Sequence, residues 1–144
     1  MSYKITVIED NEPDILLLET ALERAGVNCT ITALRDGSGA RTYIASVVPP
    51  DVPDLMLIDL NLPKLDGLAL LKLTQESGSL ANVPVVIWSS VRSERQVKEL
   101  TAFPVVRFIT KPLDFEEFML IGETLRAIVE PAGSRPETGI AAVL

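Results

Sequence analysis

The sequence predicts a doubly wound α/β fold of flavodoxin-like size: five βα units, with a five-stranded parallel sheet layered between helices. Three observations carry this. Five short apolar runs alternate along the chain with stretches of helical period. The runs are apolar at odd and even positions alike, as strands covered on both faces must be. And 144 residues suit one domain with a core large enough to be stable alone.

Lys4–Ile8 is a β-branched first strand. Asn11 is placed to cap the helix that follows, and Pro13 suits its first turn. Ile15, Leu18, Leu22 and Ala25 recur at helical spacing, and Gly26 closes the helix. Residues 28–34 form a second strand. Asp36-Gly37 is read as a turn, before a helical stripe of Ala40, Tyr43, Ile44 and Val47. The proline-rich stretch 48–53 is a loop that no helix or central strand crosses. Residues 54–59 are the third strand, closed by Pro63, and a leucine-rich helix runs from Leu68 to about Glu76. Residues 84–88 are a fourth strand ending in Ser89-Ser90. The 92–102 segment is a helix with only Val97 and Leu100 as a clear buried face, so it is expected to be the least firmly held. Residues 105–109 form a fifth strand, with Thr110-Lys111-Pro112 behind it. Phe115, Phe118, Met119, Gly122, Leu125 and Val129 keep one face of a last helix. From 131 to 144 no period is sustained, and a disordered tail is expected.

Composition removes many functions. The net charge of −7 argues against a general nucleic-acid surface or docking on anionic membrane. A single cysteine cannot make an internal disulfide, and no window approaches the roughly 18 apolar residues of a membrane span. A cytoplasmic protein is expected. The chain has no histidine. Ser/His/Asp and Cys/His catalysis, His-based zinc sites and a phosphohistidine on this chain are therefore excluded.

What remains is oxygen and lysine chemistry, and the strand ends gather it. Strand one ends in Glu9-Asp10, strand three in Asp59, strand four in Ser89 and strand five in Lys111. Parallel strands place these ends on one edge, where an open α/β sheet binds its ligands. Carboxylates ~5 Å apart repel by about 3 kcal/mol per pair at an effective dielectric near 20, so the cluster needs a cation. All-oxygen ligation selects a hard ion, and a site open to water and phosphate suits Mg2+. Lys111 adds a positive charge and Ser89 a hydroxyl. A phosphoryl group fits beside such a carboxylate, which can itself be the nucleophile. The glycines at 37 and 39 lack the third glycine and the G-K-[ST] of phosphate-cradling loops, and are read as a turn with a helix start. Trp88 is read as strand packing.

The chain resembles a response-regulator receiver domain of the CheY-like family. The resemblance rests on Ile8-Glu9-Asp10-Asn11, on Ile58-Asp59-Leu60-Asn61-Leu62-Pro63 with Asp66-Gly67, on Ser89-Ser90, and on Thr110-Lys111-Pro112, in order and at fitting intervals. It covers about residues 3 to 130, taken here as a domain over 1–130. It implies Asp59 as phosphoacceptor, receiving a phosphoryl group from a phosphohistidine on a sensor histidine kinase. It implies Mg2+ held by Glu9, Asp10, Asp59 and the backbone carbonyl of Asn61, with Glu9 through water. Lys111 would pair with the phosphate and Ser89 would be the switch hydroxyl. Ser90 adjoins it in the phosphate-binding group, where the family prefers a small residue. Phe108 matches the switch aromatic, with an expected inward motion that alters the 92–130 face.

After residue 130 only 14 residues remain, so a stand-alone receiver is expected, with output through protein contacts or onward transfer to a phosphotransfer protein. Residues 12–18 and 111–118 are similar to small receivers that serve phytochrome-type histidine kinases. Such receivers pair as homodimers through the 92–130 face, where Phe115 or Phe118 would contribute. Two rivals differ in class. A Mg2+-dependent phosphatase using Asp59 as nucleophile needs an acid/base carboxylate two residues on, and position 61 is Asn. A pseudo-receiver that binds partners without phosphorylation would not need the intact set of site residues.

Overall fold

A computed structural model describes residues 2–62, 66–90, 93–105 and 107–130. Its elements alternate strictly: β1 (Tyr3–Ile8), α1 (Glu12–Arg24), β2 (Cys29–Leu34), α2 (Gly37–Ser46), β3 (Leu55–Asp59), α3 (Gly67–Glu76), β4 (Val85–Ser89), α4 (Glu94–Leu100), β5 (Arg107–Thr110) and α5 (Phe115–Val129). The strands form one parallel sheet in the order β2-β1-β3-β4-β5. The expected doubly wound fold is what the chain adopts.

Side chains alternate across this sheet with the period of two that a strand imposes. Ile5, Val7, Leu55, Leu57, Val86, Trp88 and Ile109 pack into one core with Leu18, Leu22, Phe118 and Leu125 of α1 and α5. Ile8, Met56, Ile58, Val85, Ile87 and Phe108 join the opposite core with α2, α3 and Leu100 of α4. Every residue of β3 and β4 is buried, whereas β2 is a half-covered edge. Each fully buried aliphatic side chain is worth about 1.5–3 kcal/mol, so β3 and β4 are the firmest ground in the molecule.

Helix ends follow the sequence closely. Asn11 accepts the Asp14 N–H at the start of α1. After α1, Gly26 takes φ +78° while its N–H reaches the Glu23 carbonyl and that of Val27 reaches Leu22. That is a Schellman closure, which glycine enters without the Cβ penalty. The two helices of the α1/α5 layer touch: a Cβ on Gly122 would lie 2.1 Å from the carbonyl oxygen of Ala21.

Some boundaries differ from expectation. Asp36 caps α2 by accepting the Gly39 N–H, so Gly37 begins a helix instead of sitting in a turn. α4 is shorter than 92–102: Ser93 caps it, and it ends at Leu100. Val105 N–H turns back to the Phe103 carbonyl, leaving β5 to begin at Arg107. β3 stops at Asp59. Pro63, Arg92, Val106 and the 131–144 tail lie outside the described residues. Among the described residues no helix is long and apolar enough to cross a membrane.

Candidate functional site

The alternation that builds the two cores also sorts the site. Glu9 and Asp59 fall in phase with Val7 and Leu57, and Lys111 with Ile109, so all three belong to the α1/α5 side of the sheet. Lys111 Nζ donates to Glu9, to Asp59 Oδ2 at 3.0 Å and to Asp14 Oδ2 at 2.8 Å. The face of Trp88 closes the fourth side, with Nζ 4.5 Å from its ring centroid. Trp88 lies opposite Asp59 in the β3–β4 register and meets Phe118 edge-on at 6.0 Å. Its buried Nε1–H has no hydrogen-bond partner among the described residues.

Ser89 falls in phase with Ile87, on the α4 side. Its hydroxyl is fully buried and accepts from Asn61 Nδ2. Asn61 in turn accepts from Gln96 Nε2 of α4 at 3.2 Å, and its backbone N–H donates to Asp59 Oδ1 at 2.8 Å. The Lys111 N–H donates to the Ser89 carbonyl at 2.8 Å, tying the ends of β4 and β5. Asp59 is thus held from both sides, through Oδ2 by lysine and through Oδ1 by the following loop.

Charge is out of balance here. Three carboxylates share one ammonium in a site where Lys111 is 8% exposed, Asp59 5% and Glu9 0%. Burial pushes the Glu9 carboxyl up to about 7, against the pull of the Lys111 bond and charge. Burial also works to lower Lys111, but its bonds to Asp14 and Glu9 and the charge of Asp59 hold it above the ordinary lysine value.

Of the residues singled out from the sequence, Glu9, Asp59 and Lys111 meet directly, and Ser89 joins through Asn61. Asp10 and Ser90 are exposed and contact none of these through their side chains. Phe108 is 4% exposed in the α4-side core, so it already occupies the inward position expected of a switch aromatic. Phe118 is 2% exposed against Trp88, which removes it as a surface contact; Phe115 is exposed, with the Arg24 guanidinium 5.0 Å over its ring. Asp14 and Gln96 were not anticipated. The signal for Asp14 was available: α1 starts immediately after β1, so its first-turn carboxylates overhang the same edge.

An all-oxygen donor set with surplus negative charge suits a hard divalent cation. Among the described residues no three carboxylates converge closely enough to hold one.

Comparisons with known proteins place the chain in a family. Residues 5–121 match the family model described as the response regulator receiver domain. The chain is 32% identical over 126 residues to a probable methanogenesis regulatory protein, FilR2, of Methanothrix harundinacea, covering 86% of this chain and 81% of that one. It is 28% identical over 116 residues to the response regulator Rcp1 of Synechocystis, covering 78% and 79%. The crystal structure of the phosphorylated cyanobacterial phytochrome response regulator RcpA superposes with a TM-score of 0.79 at 30% identity, covering 90% of this chain and 94% of RcpA.

Proposed function

The chain belongs to the response regulator receiver family, and from that premise we propose that it is a phosphorylatable switch with Asp59 as the phosphoacceptor. The observation that carries this is the Asp59 carboxylate held between Lys111 Nζ and the Asn61 N–H at the end of β3. An Asp59 oxygen attacks the phosphorus of a kinase phosphohistidine. The P–N bond breaks, an acyl phosphate forms, and the imidazole nitrogen takes a proton from solvent.

Each neighbour has one task. Lys111 pairs with the phosphoryl oxygens, and Ser89 turns its hydroxyl from Asn61 to donate to one of them. Asp10, Asp59 and the Asn61 carbonyl would hold Mg2+, with Glu9 behind a water, to supply counter-charge to the phosphoryl oxygens. Loss of the Ser89–Asn61 bond is felt at Gln96, and so at α4. Phe108, already inward, has no inward swing left to make and serves as a packed wall on the α4 side of Ser89, and Ser90 leaves the entrance small-sided.

The likeness to the phytochrome response regulator RcpA supports a phytochrome-type histidine kinase as donor. Output runs through the 92–130 face, to a phosphotransfer protein, an effector or a second copy. Exposed Leu113, Phe115 and Leu120 support that use.

Incubation with Mg2+ and acetyl phosphate or phosphoramidate, followed by intact mass measurement, tests the proposal. One added phosphoryl group is expected, absent in Asp59→Asn and after chelation. Steady turnover of many phosphate esters, or no gain of mass, would overturn it.

A further inference from the structure

An ammonium has three N–H donors. In this structure all three of Lys111's are taken, by Glu9, Asp59 and Asp14, and the Trp88 ring covers the remaining side. Nothing is left with which to meet a phosphoryl oxygen. One bond must be given up first, and the three are not equal. The Glu9 side chain is fully enclosed, and Asp59 carries the incoming group itself. Asp14 alone has water access, with 20% of its side chain exposed. Its carboxylate is rehydrated on release, whereas a stranded Glu9 carboxylate is not.

We infer that Asp14 is a positioning residue that holds Lys111 in the resting state and competes with the phosphoryl group for its ammonium. The inference rests on Asp59 being the phosphoacceptor. Phosphorylation is then an exchange of one anionic partner for another, and Asp14 sets how far the exchange goes. Its contribution to the α1 N-terminus as a first-turn acid is a separate matter, because an acid there with no lysine partner would serve the helix equally.

Beryllofluoride, which occupies the phosphoryl position on an aspartate, measures the competition without turnover. The single tryptophan of the chain measures the position of Lys111, since the ammonium lies on its ring. Asp14→Asn should bind beryllofluoride with Mg2+ roughly three- to tenfold more tightly, the net worth of one ordinary, partly solvated hydrogen bond. Its resting Trp88 emission should lie between those of the resting and loaded wild type. Asp14→Glu should restore both properties toward wild type. Equal or weaker binding by a folded Asp14→Asn protein overturns the inference. If the wild type binds no beryllofluoride, the phosphoacceptor role fails instead. The hold of Asp14 on Lys111 is then judged by resting emission alone, and identical spectra for wild type and Asp14→Asn overturn it.

Discussion

α5 lies so close on α1 that a Cβ at Gly122 would sit 2.1 Å from the Ala21 carbonyl oxygen, whereas α4, across the sheet, has only Leu100 fully buried along its seven residues. The functional side chains divide along the same line. Glu9, Asp14, Asp59 and Lys111 are ionisable groups joined on the tightly packed side. Ser89, Asn61 and Gln96 are neutral hydrogen-bonding groups leading toward the loosely packed one. The difference teaches a division of labour. Opposed charges need a rigid frame to stay in register, and a responsive element must be one that little else holds in place.

The largest test of this contrast is Gly122→Ala. In an exposed helix that change stabilises by about 1 kcal/mol. Here the added methyl must push α1 off α5, and a net loss of about 3 kcal/mol is expected in urea denaturation. A neutral or stabilising result breaks the comparison. Leu100→Ala should cost less, about 2 kcal/mol, because it empties a site that can collapse. Its mark should be local: faster amide exchange over 94–100, with β1 and β3 still protected. Exchange that quickens throughout the molecule would show α4 to be as integral as α1.

The ionisable cluster should declare itself in pH. A carboxyl raised from about 4.5 to about 7 by folding binds more protons in the folded than in the unfolded chain between those values. Metal-free stability should therefore fall as pH rises from 4.5 to 7, by on the order of 1–2 kcal/mol, and level off above. Glu9→Gln should flatten that slope, and an unchanged slope would place the strain elsewhere. The smallest effect belongs to Gln96→Ala. Its exposed bond is worth less than about 0.5 kcal/mol of stability. It should nonetheless weaken the response of 94–100 exchange to beryllofluoride, and a full response in the variant would show that α4 is informed by another route.

Much of this was legible in the sequence, and for identifiable reasons. β3 and β4 are buried on both faces, so 55–58 and 85–88 stand out as unbroken apolar runs, each ending in a polar residue. Parallel topology then forces Glu9, Asp59, Ser89 and Lys111 to one edge. The limits of α4 were not legible, because its pattern rests on few apolar residues and Ser93 caps a helix that begins later than its periodicity suggests. Asp14 was hidden by a local explanation, since an acid in a first helical turn already has a reason to be there; its partner is 97 residues away. Phe115 and Phe118 share one sequence pattern, yet the first faces solvent and the second meets Trp88. Only the crossing of α5 over the sheet separates them.

Gly122 has a mechanical consequence for the site. By letting α5 clamp α1 near Ala21, it makes α1 a beam anchored along its length, with its first turn projecting over the edge where Asp14 sits. An anchored beam does not follow a departing load. If the ammonium is drawn toward a phosphoryl group, Asp14 is not carried along with it, and the pair opens by the movement of Lys111 alone.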